Sequence, residues 1–185
     1  MPETLEVAAG LDAFAVAGQW FVLHVKSRQE KAVAEVLTGM GVAHFLPLLP
    51  MVHFYGRRKI TAKLPMFPCY LFLRGSIEQA YSIDRTKRVA NILRVANQDQ
   101  MDWELKNIAL ALNHNIPLDP YPYLCKGVRA EVQAGPLRGL QGLVEERTKC
   151  DRLVLQVEML GRAVSVEVDA CLLEVVETEE SSAVA

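Results

Sequence analysis

Apolar and polar positions follow two rhythms along this chain. Residues 20–25 (Trp-Phe-Val-Leu-His-Val) form a short run of β-formers and predict a first strand. Ser27 and Glu30 stand at the spacing of a capping box, and Val33, Val36, Leu37 and Met40 then recur at helical intervals. Gly39 and Gly41 supply the stop. Residues 44–49 are apolar, but Pro47 and Pro50 restrict them to an edge strand or an extended connection. Residues 51–55 and 60–64 flank Gly56-Arg57-Arg58-Lys59 and read as a hairpin with a basic tip. The most apolar stretch, 67–73, is expected to be a central strand. Ser76 with Gln79 caps a second helix reaching about Arg88, and residues 89–95 form a closing strand. Asp99 caps a third helix with Met101, Leu105, Ile108, Ala109 and Leu112 on its apolar stripe.

Strand-helix-strands-helix-strand is the ferredoxin-like pattern with an added hairpin. Its helices are expected to cover one sheet face and leave the other available. Pro117, Pro120 and Pro122 then mark a semi-rigid linker. Beyond it, short apolar runs at 128–132, 143–144, 153–157 and 163–168 are separated by turns, with Gly135-Pro136 and Gly139 giving the tightest one. Four or five short strands in about fifty residues suggest a small closed barrel. The expected class is α+β, divided into a loose tail (1–17), a ferredoxin-like domain (18–113), a linker (114–124), a β-barrel (125–177) and a second tail (178–185). The β-branched content of 153–168 favours a barrel that stays a barrel.

Composition narrows the possible functions. Hydrophobic residues make up 51% of the 185, enough for packed cores. No apolar run reaches the roughly 18 residues of a membrane span, and residues 1–18 lack the basic start of a secretory signal. The four cysteines (69, 125, 150, 171) form no CxxC pair, and no two of the four histidines stand at a metal-ligand spacing. This pattern fits idle thiols in a reduced, cytoplasmic compartment, with no cofactor and no metal. An enzyme would need a nucleophile beside a base; Cys69 and His24 could meet, but no elbow, phosphate loop or carboxylate pair accompanies them. The net charge of -2 hides a split: residues 1–17 carry -3, residues 18–115 carry +6, and residues 116–185 carry -5. The middle segment can face a polyanion, whereas the acidic end argues against direct RNA contact.

Two motifs then carry a resemblance. Gly127-Val128, followed by Gly135-Pro136-Leu137-Arg138-Gly139-Leu140-Gln141-Gly142-Leu143, resembles the KOW motif of the NusG family of transcription elongation factors. Upstream, Trp20, the segment Ser27 to Lys31 and Phe67-Pro68-Cys69-Tyr70-Leu71-Phe72 resemble that family's first strand, first helix and central strand. The match runs over residues 20–176. It implies a monomeric elongation or antitermination factor whose amino-terminal domain grips the clamp helices of the largest RNA polymerase subunit and disfavours pausing. A KOW barrel would recruit Rho or a small-subunit ribosomal protein. The resemblance assigns Tyr70 and Phe72, with Phe67 and Val95, to the polymerase contact. Tyr70 and Phe72 share one strand face, so both are expected to face a partner or both to be core. Lys26, Arg28, Arg57, Arg58 and Lys59 are candidates for the displaced non-template DNA strand. Gly135, Pro136, Leu137, Arg138 and Gly139 would form the recruiting loop.

Two departures shape this reading. Leu137 stands where family members often carry an aromatic residue, which puts recruitment of Rho or the ribosome in doubt. The Tyr81 to Thr86 stretch does not match the threonine-rich loop that some specialised members aim at the second-largest polymerase subunit. The resulting expectation is an operon-selective member resembling RfaH. The alternatives are a housekeeping factor coupled to Rho or the ribosome, and a ribosome- or RNA-binding KOW protein.

Overall fold

The computed structural model describes residues 12–55, 58–114, 118–121, 128–144, 152–168 and 172–176. The chain forms two compact units, Met1–Asp102 and Trp103–Ala185.

In the first unit, β1 (Gln19–Val25) lies between β5 (Tyr70–Gly75) and β6 (Val89–Arg94), with β2 (Ala43–Phe45) beyond β5. All these pairings are antiparallel. The sheet order β2-β5-β1-β6, with α1 (Glu30–Gly39) after β1 and α2 (Ile77–Ser82) after β5, is the ferredoxin-like arrangement. The added hairpin is present as β3 (Leu48–Tyr55) paired with β4 (Arg58–Pro65) in a two-stranded sheet of its own. One face of the main sheet presents Phe21, Leu23, Val25, Leu71 and Leu73 to a core shared with Val33, Ala34 and Leu37 of α1 and with Ala80 and Ile83.

Local chemistry sets the helix ends. Ser76 accepts from the Gln79 amide while the Gln79 side chain accepts from the Ser76 amide, so the expected capping box forms. At the end of α1, the Val42 amide bonds to Leu37 O and the Gly41 amide to Thr38 O. This Schellman closure needs a left-handed residue, and Gly41 provides it with φ 66°.

Several expectations are corrected. Ser27 does not cap α1; Gln29 precedes the helix without a side-chain cap. Glu30, the other half of the expected box, is buried and accepts from the Cys69 amide at 2.8 Å. A carboxylate out of water takes a charge-assisted hydrogen bond over a local one. The second helix ends at Ser82, continues as a 3-10 turn over Ile83–Thr86, and stops where Lys87 turns left-handed. Asn97, not Asp99, caps the third helix, α3 (Gln98–Asn113), through Oδ1 to the Gln100 amide. Residues 12–17 are not a loose tail: Ala13 is buried and the Phe14 ring packs on Trp20 and Phe45.

The second unit begins within α3. Its six-stranded antiparallel sheet runs β12 (Leu173–Val175), β8 (Val128–Val132), β9 (Gln141–Val144), β10 (Arg152–Val157), β11 (Arg162–Glu167), β7 (Asp119–Tyr121). Strand β7 falls inside the stretch expected to be linker. Pro120 is compatible with it because β7 is an edge strand, with a neighbouring strand on one side only. Along β11, Val164 and Val166 are buried as alternation expects, but Ala163 and Ser165 are buried too, so the strand is not half-buried. Residues 103–113 of α3 join this sheet through polar contacts. Trp103 Nε1 donates to Gln141 Oε1 at 2.8 Å, and the Gln141 amide donates to Asn107 Oδ1 at 2.7 Å. The Arg129 guanidinium lies 4.1 Å from the centre of the Trp103 ring. Close packing leaves no room at Gly142, where an added Cβ would meet Val154 O at 2.7 Å.

Candidate functional site

The second face of the first-unit sheet carries the aromatic residues. Alternation on β1 places Trp20, Val22 and His24 there, and register brings Phe72 opposite Val22 and Tyr70 opposite His24. Phe45 on β2 pairs with Phe72. The rings touch in a chain: Trp20 with Phe14, Phe14 with Phe45, Phe45 with Phe72, and Phe72 edge-on with Phe67.

This face is not open. Phe72 is fully buried at 0% exposure and Phe67 at 2%, so neither ring is presented to a partner. Tyr70 is half-buried and stacks on His24 with ring centres 5.1 Å apart. The expectation that Tyr70 and Phe72 share one fate is therefore corrected. They do share a face, but Tyr70 sits at the end of β5, beyond the aromatic cluster that closes over Phe72. Val95 is half-buried and lines a hollow of about 250 Å³ with Gln19, Phe21, Ile77, Arg94 and Gln98.

The opposite end of the same face is polar. Trp20 Nε1 donates to Asp102 Oδ1 at 3.0 Å, and that oxygen also pairs with Arg74. The Arg74 guanidinium lies 5.2 Å from the Trp20 ring centre. The Trp20 amide and carbonyl are both held by the Gln98 side chain. Together these contacts tie the first turns of α3 to β1 and β5.

His44 on β2 is buried. Its Nδ1–H donates to Val42 O at 3.0 Å, while Nε2 has no partner among the described residues. Burial lowers its pKa below the ordinary histidine value because the charged ring would be desolvated. The sign follows directly. The unfolded chain takes up a proton near pH 6.5, and the folded chain does so only at lower pH. Stability from this residue is thus complete above pH 6.5 and lost as pH falls. Urea unfolding at pH 7 and pH 5 should show a smaller loss for His44→Leu than for the wild type.

The basic residues separate. Lys26 and Arg28 are exposed in the loop after β1, and Arg28 has φ 62°. Arg58 and Lys59 begin β4, with backbones paired to Tyr55 and Phe54, and Arg57 lies outside the described residues. An open cleft beside Lys26 is lined by Tyr81, Asp84, Arg85, Lys87 and Val89. The sequence names neither Tyr81, Arg85 nor Lys87 as a contact, since the Tyr81 to Thr86 stretch is weighed only as a threonine-rich loop; the cluster Arg85-Thr86-Lys87-Arg88 was the available signal.

In the second unit, residues 133–140 join β8 to β9. Gly135 and Gly139 adopt φ 84° and 85°, the geometry expected of them. Gly135, Pro136 and Arg138 are exposed, but Leu137 is buried at 5% and does not offer its side chain to a partner. Among the described residues, no group of three His, Cys, Asp or Glu side chains could hold a metal ion, and no helix is long and apolar enough to cross a membrane.

Residues 18–107 match the family described as NusG, transcription termination factor nusG. Over this stretch the chain is similar to the NusG family. Members of that family are transcription factors and not enzymes. Among solved structures, the chain is similar to one described as "Domain interaction in Thermotoga maritima NusG". The two share 19% identity over 87% of this chain and 98% of that one, with a TM-score of 0.44. It is also similar to the "MjSpt4:Spt5 complex conformation B", at 16% identity over 86% and 97% of the two chains and a TM-score of 0.29. Among curated proteins none matches the chain. The matched stretch ends within α3, so the match does not reach the six-stranded sheet.

Proposed function

We propose that the whole chain is a NusG-family transcription elongation and antitermination factor, acting in the cytoplasm without a cofactor. The observation that carries this reading is the family match over residues 18–107. The amino-terminal domain, residues 18–113, binds RNA polymerase at the clamp helices of its largest subunit and suppresses pausing or termination. The exposed part of the aromatic face supports this: Tyr70 and His24 form a half-buried stacked pair at the sheet's end. A ring that is partly buried beforehand loses little freedom on binding and brings large apolar area to a partner. Val95 and its hollow extend the contact, whereas Phe67 and Phe72 support it from inside. Lys26, Arg28, Arg58 and Lys59, with Arg57, give phosphate contact to the non-template strand.

The second unit is read as a KOW barrel that recruits partners through residues 135–139. With Leu137 buried, recruitment of Rho or a small-subunit ribosomal protein would rest on Arg138 and the loop backbone. This favours an operon-specific member over a housekeeping one.

Pull-down with core RNA polymerase tests the central claim. Wild-type protein is expected to retain polymerase, and His24→Ala with Tyr70→Ala is expected to weaken retention at least about tenfold, the effect of losing an interface hot spot. Full retention by a folded double variant would rule out this contact.

A further inference from the structure

The hairpin of β3 and β4 stands apart from the main sheet of the first unit, as two strands of eight residues each, with no third strand beside them among the described residues. A two-stranded sheet is marginal in water by itself and gains from a further strand or from packing. Its hydrogen bonding fixes which backbone groups are left over. The Met66 amide bonds to Pro47 O at 2.8 Å, so residues 47 and 66 form a bonded pair. The register then runs without a break from Leu48 opposite Pro65 to Tyr55 opposite Arg58. Bonded and unbonded pairs alternate along an antiparallel ladder, so residues 60, 62 and 64 bond inward to β3. Lys59, Thr61 and Lys63 fall in the unbonded pairs, and their amides and carbonyls point away from β3. On the outer side of β3, Pro50 holds such a position and supplies no amide hydrogen. The uninterrupted open edge therefore belongs to β4.

Side chains give this edge two different faces. Register and alternation put Met51, Ile60, Ala62 and Leu64 on one of them. Met51, Ile60 and Leu64 are 41%, 48% and 41% exposed, three of the seven large exposed apolar side chains among the described residues. Thr61 and Lys63 lie on the other face. Residues 48–65 include four basic residues, Arg57, Arg58, Lys59 and Lys63, and no acidic one. A nucleic acid would meet the charge but would leave the apolar face and the amide ladder unused. A lipid surface would cover the apolar face but leave the outward amides and carbonyls of β4 unpaired, at a cost of several kcal/mol each in a hydrocarbon layer. A second copy of the hairpin would bring the same positive charge to the same edge. An extended peptide that is apolar on one side and acidic on the other matches the ladder, the apolar face and the charge together.

We propose that β4 accepts such a peptide from another protein as a third strand, one in which apolar residues alternate with Asp or Glu. Main-chain bonds at residues 59, 61 and 63 hold it, and its alternation sets the choice of partner, with apolar side chains beside Ile60 and Leu64 and carboxylates on the side of Lys63. Tyr70, His24 and Val95, given above to the polymerase contact, take no part in this surface.

Fluorescence anisotropy of the full chain tests it, with a labelled peptide of about seven residues that alternates Val and Glu. This peptide is expected to bind, and to bind more weakly as salt rises. A scrambled peptide of the same composition, and one that alternates Val and Lys, should bind at least about tenfold more weakly. Thr61→Pro removes the central outward amide and should weaken binding about tenfold or more. The hairpin is expected to tolerate the change, because Pro50 already occupies an unbonded pair. Thr61→Val keeps the amide and should bind as the wild type does. Failure of the Val-Glu peptide to bind, equal binding of its scrambled form, or undiminished binding by Thr61→Pro would overturn the proposal. Dimers of the wild type that become monomers in Thr61→Pro, seen by sedimentation, would overturn it in favour of a second copy. Displacement of the peptide by anionic vesicles would overturn it in favour of lipid. The polymerase reading stays separate: His24→Ala with Tyr70→Ala is expected to leave peptide binding unchanged.

Discussion

Phe72→Ala is expected to destabilise the first unit by about 3–5 kcal/mol, the range for removing a fully buried Phe. The ring is 0% exposed and contacts the rings of both Phe45 and Phe67. Those neighbours belong to two different segments, so neither can collapse into the space without moving backbone. A cavity penalty therefore adds to the lost transfer energy. Tyr70→Ala, two residues away on the same face, should lose only about 1 kcal/mol, since that ring is half-exposed already. Urea denaturation distinguishes them: the Phe72→Ala midpoint should drop sharply at unchanged slope. Equal, small losses for both variants would mean that the aromatic cluster is not the packed core described above. For the same reason, polymerase binding is better probed at Tyr70 and His24 than at Phe72.

Asp102→Ala is expected to cost about 2 kcal/mol. One carboxylate oxygen serves the Trp20 indole and the Arg74 guanidinium together. Removing it strands two donors at once, and Arg74 Nε is already buried with no partner among the described residues. Arg74 and Asp102 are 19% and 22% exposed, and that contact with water keeps the loss below the value for a fully buried pair. Asp102→Asn should lie between wild type and Ala, because an amide oxygen still accepts from the indole but carries no charge. Thermal unfolding of the three proteins checks the order. A loss for Asn equal to that for Ala would assign the whole effect to charge.

What the sequence made legible was mostly local. The capping box of Ser76 and Gln79 lies within four residues and needs nothing from elsewhere. Gly41, Gly135 and Gly139 were readable because few residues other than glycine tolerate their backbone angles. The strand-helix order of the first unit followed from periodicity alone.

Long-range contacts decided the rest. Glu30 could have completed a box with Ser27, but the Cys69 amide, 39 residues away, takes its carboxylate instead. Alternation correctly placed Tyr70 and Phe72 on one face, yet it could not show that Phe14, from a segment read as a tail, would pack over the aromatic row. The stacking of His24 on Tyr70 depends on strand register, which no run of residues encodes by itself. Tyr81, Arg85 and Lys87 face one cleft because a helix stops early and a 3-10 turn redirects the chain, an ending that the local pattern did not announce.

Strand β7 has a consequence for life in a crowded solution. Open sheet rims can capture strands from other molecules and seed clumping. In the second unit the two rims are β7 and β12, each only three residues long. Pro120 removes a donor from one rim, and Glu174 puts a charge on the other. Replacing Pro120 with a β-branched residue would lengthen the usable ladder, and the molecule would become stickier without becoming less well folded.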